Sequence, residues 1–213
     1  VLLRDTLTLP DGSGEGRGIN VQYDPETDST GTLQVEESLI ENSRGVGLFA
    51  AGTPVTLVEV TVRDTQPIEG GEVDGARGQG LSISCYPTPL RCENIAVEDS
   101  FVDRSVEAGI ALAGVSGYLR TTTVRDTAPR GADGRYGYGV QIVGLDESPS
   151  TVHVQHCHVV DADLAGLLFD HAGGTVLRSA VSGADFSVVW TQPGVLPEVT
   201  DDCELSGQVA SSP

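Results

Sequence analysis

A nine-residue pattern, Val35-Glu36-Glu37-Ser38-Leu39-Ile40-Glu41-Asn42-Ser43, returns at residues 57–65, 97–105, 119–127, 154–162 and 176–184, and a partial copy ends at Thr6. Internal repetition of this kind restricts a chain to stacked, repeating architectures. The eighth position marks each copy: Asp5, Asn42, Asp64, Arg104, Asp126, Asp161 and Gly183, spaced 37, 22, 40, 22, 35 and 22 residues apart. A second short apolar run follows each marker, at Gly47-Leu48, Gly109-Ile110, Gly166-Leu167 and Val188-Val189 in the short steps. In the long steps it comes later, at Gly18-Ile19, Gly80-Leu81 and Gly139-Val140, so insertions alternate with bare repeats.

The units are runs of β-branched residues separated by glycine and polar turns, which read as strands too short to stand alone. Stacked in parallel, each strand lies ~4.8 Å above its predecessor, and equivalent side chains form columns. Leu3, Ile40, Val62, Val102, Val124, Val159 and Val181 make an apolar core column, and Ser38, Val60, Ser100, Thr122, Cys157 and Ser179 make a second inward column of small residues. Between them an outward column alternates in sign, Arg4, Glu41, Arg63, Asp103, Arg125, which sets register because a slip would oppose like charges. The turn column Thr6, Ser43, Thr65, Ser105, Thr127 reads as hydroxyls that cap turn backbone. Parallel crossovers are right-handed as a rule. The expected fold is therefore all-β: a single right-handed parallel β-helix of about seven or eight coils, with 22-residue coils alternating with coils of 35–40 residues. It is expected to span residues 1–213, with residues 198–213 as a degenerate last coil, within a longer protein.

Charge narrows the partners. Acidic residues outnumber basic ones by 31 to 12, for a formal charge of −19. Nucleic acid and anionic membrane surfaces need the opposite balance. No apolar run is long enough to span a membrane, and no signal peptide is visible, because the chain opens in strand at Val1-Leu2-Leu3. Every basic residue is Arg and Met is absent, a bias expected of a GC-rich bacterial source. Cys85 and Cys92 bracket the turn-rich Tyr-Pro-Thr-Pro-Leu-Arg, and a bridge there implies an oxidising compartment: extracellular, cell-surface or periplasmic. Cys157 and Cys203 fall in one column two rungs apart, ~9.6 Å, too far to bridge, and are expected free.

The pattern Val/Ile-x-x-Ser/Thr-x-Val-x-Asp/Asn followed by Gly-Ile-x-Leu, carried from Val1 to about Thr191, resembles the parallel β-helix repeats of the pectin-lyase-like superfamily. That resemblance implies the right-handed β-helix and a link to polysaccharides, through lyases, hydrolases and epimerases as well as non-catalytic surface proteins. The superfamily's pectate lyases use calcium-binding Asp residues with a catalytic Arg or Lys, and its polygalacturonases an Asp-Asp pair, Gly-His-Gly and Arg-x-Lys. Here Lys and Gly-His-Gly are absent, and the one Asp-Asp, Asp201-Asp202, falls in the degenerate last coil.

Three groups are candidates for chemistry. Glu37, Glu59 and Asp99 form a column of outward carboxylates on successive rungs, an arrangement of hard oxygens that Ca²⁺ favours; the competing reading is three solvated carboxylates. The alternate insertions stack along one edge and carry Glu72, Asp74, Asp133, Tyr136 and Tyr138, together with Asp11, Glu15, Glu69 and Arg135, acidic groups beside tyrosines that suit a sugar. His153, His156 and His158 cluster, but their neighbouring rungs offer Arg178, Ala180, Thr121 and Thr123 and no carboxylate, so they read as surface imidazoles. No catalytic set converges: lyase chemistry needs a base plus cationic help, and hydrolysis paired carboxylates. The expected function is a non-catalytic extracellular or surface module for binding or spacing, with a surface glycan as the partner. The alternative is a polysaccharide-active enzyme. The sharpest covalent expectation is that Cys85 and Cys92 alkylate only after reduction, which peptide mass spectrometry reads directly.

Overall fold

The computed structural model describes residues 1–7, 16–29, 31–68, 78–85, 92–130, 136–146, 148–191 and 197–211. Among these there is no helix. The strands are parallel and fall into two sheets, one of 13 strands and one of eight. Each strand pairs with its counterpart one repeat away, a connectivity that fits a parallel β-solenoid.

The repeat alignment is the hydrogen-bond register. Leu3, Ile40, Val62, Val102, Val124, Val159 and Val181 are successive Cα partners, and Leu205 continues the column. In the eight-stranded sheet Ile19, Leu48, Leu81, Ile110, Val140, Leu167, Val188 and Val209 pair in the same way. From Ile40 to Val188 both columns are buried. The glycine preceding the second run is required by close approach. A Cβ on Gly80 would lie 2.5 Å from Val102 Cγ1 and 2.6 Å from the Gly109 carbonyl oxygen.

The nine-residue unit is not one straight strand. Glu37, Glu59, Asp99, Thr121, His156 and Arg178 have φ between 44° and 54°, a left-handed conformation that turns the chain through a corner. Leu33–Glu41 and Val55–Thr65 run through that corner, and later units split there, as Thr151–Gln155 and His158–Ala162 do. The marker column is a second left-handed corner, from Asp5 at φ 57° to Asp161 at φ 54°. Two of the three strands of each repeat thus lie in the larger sheet, and the third, Val46–Ala51 for example, lies in the smaller.

The first corner explains the small inward column beside it. A left-handed residue takes the flanking peptide groups out of the regular ladder, and a short polar side chain inside the bend recovers them. Ser100 Oγ donates to the Glu98 carbonyl at 2.7 Å and accepts from the Val60 amide of the preceding rung at 3.2 Å. Ser179 Oγ does the same with the Leu177 carbonyl and the Cys157 amide. Cys157 occupies this column, buried, and desolvation pushes its thiol pKa up to about 11. Cys157 and Cys203 are free, and Cys85 is bridged to Cys92.

Two columns differ from the sequence reading. The charge ladder forms, with Glu41 Oε1 3.1 Å from Arg4 and Oε2 2.6 Å from Arg63, and Asp103 2.8 Å from Arg125. Its carboxylates, however, are buried beneath the longer arginines, Asp103 to 2% exposure. Asp103 is also met by Arg104 of the marker column, which lies 2.6 Å from Asp64 and holds that carboxyl below the usual range. The hydroxyl column faces inward instead of capping turns. Ser43, Thr65, Ser105 and Thr127 are buried, and the hydroxyls of Thr65, Ser105 and Thr127 have no hydrogen-bond partner. Among the described residues of this column, stacked hydroxyls meet only at the first rung, Thr6 Oγ1 lying 3.3 Å from Ser43 Oγ.

A buried hydroxyl without a partner costs about 1–3 kcal/mol relative to an apolar group of the same shape. Thr65→Val is therefore expected to leave stability unchanged or raise it by about 1 kcal/mol, whereas Ser100→Ala, which strands the Val60 amide, lowers it by about 1–3 kcal/mol. Urea unfolding midpoints at unchanged m-value measure both.

Candidate functional site

A groove lies on the outer face of the eight-stranded sheet. Its floor is the outward column Phe49, Ser82, Ala111, Gln141, Leu168, Val189, Ala210, each residue paired to the next. One stretch, about 290 Å³, is lined by Phe49, Gln79, Ser82, Glu107, Arg130 and Tyr136 among others. A second, about 500 Å³, includes Tyr136, Tyr138, Leu168, Asp170, Phe186 and Val189. Tyr136 and Gln141 belong to both, so the two stretches adjoin.

Glu107 organises the first stretch. Two residues before five of the six Gly-apolar pairs the backbone takes positive φ, at Gly16, Gly45, Gly78 and Gly137 and, at the equivalent position, Glu107 with φ 75°; Leu164, before Gly166, does not. A side chain in a left-handed conformation costs about 1–2 kcal/mol against glycine, and such strain gathers at functional sites. The carboxylate is only 5% exposed. It accepts from Gln79 Nε2 at 2.9 Å on one oxygen and from Arg130 NH1 at 3.1 Å on the other. The Glu107 carbonyl accepts from the amides of Gly137 and Tyr138, at 2.9 and 3.0 Å.

One residue therefore fixes the segment that carries both tyrosines and the arginine beside them. The Arg130 guanidinium stands 5.7 Å from the Tyr136 ring centroid, and the Tyr136 and Tyr138 rings meet edge-on at 6.3 Å. Burial, seconded by the negative groups around it, raises the Tyr138 phenol pKa, so it stays a neutral hydrogen-bond donor. Gln79 is 1% exposed, and its Oε1 is buried without a partner.

The remaining sequence candidates fare differently. Tyr136 and Tyr138 come together in the groove, while Glu72, Asp74 and Asp133 lie outside the described residues, as do Asp11, Glu15, Glu69 and Arg135. Glu37, Glu59 and Asp99 are exposed, one at each left-handed corner, instead of on a flat strand face. Among the described residues, no three His, Cys, Asp or Glu side chains are placed to hold a metal ion. His156 and His158 are exposed, and His153 hydrogen-bonds the Thr175 hydroxyl at 3.0 Å. Asp202 is a ladder partner, accepting from Arg178 Nε at 3.1 Å. Gln79, Glu107 and Arg130 were not among the sequence candidates. The available signal was the glycine column, which Glu107 interrupts.

Comparison with known proteins gives no match to a family model, a curated protein or a solved structure. The likeness to pectin-lyase-like repeats rests on the repeat pattern and the parallel sheets.

Glu107 gives a direct test of strain. Glu107→Ala and Glu107→Gly both remove the carboxylate, but only glycine accepts φ 75° freely. The glycine variant is expected to be more stable than the alanine variant by about 1 kcal/mol, measured by chemical unfolding. Equal stabilities would show that the left-handed conformation is not maintained.

Proposed function

We propose that the chain is a right-handed parallel β-helix of the pectin-lyase-like kind, serving as a non-catalytic secreted or cell-surface module that binds a glycan along the outer face of its eight-stranded sheet. The observation that carries this reading is Glu107, a buried carboxylate held at a glycine position, which ties Arg130, Tyr136 and Tyr138 to the edge of the groove. Aromatic faces with a few fixed polar groups are what carbohydrate sites require. The Cys85–Cys92 bridge supports an oxidising compartment, and no helix of the described chain is long and apolar enough to cross a membrane.

A second reading, polysaccharide cleavage, draws on the meeting of a carboxylate, a guanidinium and a phenol at Glu107, Arg130 and Tyr136. It is the weaker because Glu107 commits one oxygen to Gln79 and the other to Arg130, whereas a general base needs a lone pair facing the substrate.

Both readings are tested on the full chain. A glycan array with and without calcium, repeated with Tyr136→Ala, is expected to show binding that the variant loses. Incubation with pectin, alginate and neutral polymers is expected to release neither unsaturated nor reducing ends. Cleavage abolished by Glu107→Gln would establish the enzyme reading instead.

A further inference from the structure

Given the reading above, in which this groove binds a glycan, the charge of its lining decides the class. The described lining residues carry one guanidinium, Arg130, against two carboxylates, Glu107 and Asp170. Arg130 is engaged, bonded to Glu107 and stacked toward Tyr136. Asp170 accepts from the Thr191 hydroxyl and lies 2.6 Å from His171 Nδ1. At the far end Arg17 sits 3.7 Å from the Phe49 ring centroid, so even with it the cations only balance the anions. A uronate polymer carries a negative charge on every sugar and needs a surplus of cations. Among the described lining residues it would meet none, and it would approach a chain of formal charge −19.

The same lining suits uncharged sugars. Tyr136, Tyr138, Leu168, Phe186 and Val189 offer an aromatic and aliphatic platform. Hydroxyl partners come from the Gln141 amide, the neutral Tyr138 phenol and the polar half around Gln79, whose buried Oε1 lacks a partner. From Ser82 through Ala111, Gln141 and Leu168 to Val189 the floor runs four rung steps, about 19 Å at ~4.8 Å each. That is room for an extended segment lying across the strands. We infer that the groove selects a neutral linear glycan, with Tyr136 as the platform where its polar and aromatic halves meet.

The test is calorimetric titration of the full chain with linear oligosaccharides of matched length. One set is neutral (gluco-, xylo- and manno-series), and the other is uronate (galacturonate and mannuronate series), each at low and high salt. A neutral series is expected to bind about tenfold or more tighter than any uronate, with little salt dependence, since no ion pair is screened. Tyr136→Ala is expected to weaken it about tenfold or more, as loss of an aromatic anchor does. Tyr136→Phe, which keeps the ring, retains most of the affinity and guards against misfolding as the cause. Preferential uronate binding that weakens with salt and is lost in Arg130→Ala would overturn neutral selectivity while leaving the groove as the glycan site. Failure of both sets to bind would overturn the glycan reading together with this inference.

Discussion

The parallel ladder between successive rungs is the interaction on which everything else in this chain depends. Among the described residues the strands pair with their counterparts in neighbouring repeats and not with strands of their own repeat. Register therefore has to be right at every step at once, and this accounts for the columns. A stack at ~4.8 Å spacing puts like on like, so the column Ile40 to Val181 must be apolar throughout, and the column Glu41, Arg63, Asp103, Arg125 must alternate in sign. The hydroxyl column is only partly satisfied: Thr6 and Ser43 meet at 3.3 Å, but Thr65, Ser105 and Thr127 are buried without partners, while Ser100 and Ser179, which face peptide groups freed by a corner, are satisfied.

The apolar columns were readable because burial demands one kind of residue at every rung, and repetition reveals it. The first corner was not readable, because its requirement falls on the backbone. Glu37, Asp99, Thr121, His156 and Arg178 share one φ region and little side-chain chemistry, so the column looks like exposed strand. That is why three carboxylates at corners read as a flat metal-binding row. The burial of Glu41 and Asp103 was hidden for a related reason: sequence gives the alternation of charge, but the covering comes from arginine stems that fold over the shorter acids.

At the groove the regularity is broken, and the break is informative. Gly16, Gly45, Gly78 and Gly137 meet the demand for positive φ with the residue that adopts it at least cost. Glu107 meets the same demand with a buried carboxylate, against both backbone preference and desolvation. Two hydrogen bonds to its oxygens offset the second cost, and nothing in its surroundings removes the first. Of the positions in this column that take positive φ, the one that is not glycine lies beside two tyrosines and an arginine.

The consequence is a fixed edge where the proposed glycan would bind. Arg130 and Tyr136 lie on either side of residues 131–135, and both are tied to Glu107, one through the carboxylate and the other through the amides that follow it at Gly137 and Tyr138. Glu107 is in turn fixed to its neighbours, its amide donating to the Ala128 carbonyl at 2.9 Å and its side chain accepting from Gln79 one rung away. The tyrosine platform thus takes its position from the ladder itself. An aromatic ring already held in place would lose little freedom if a sugar stacked on it, which is the physical advantage a solenoid edge gives the proposed binding.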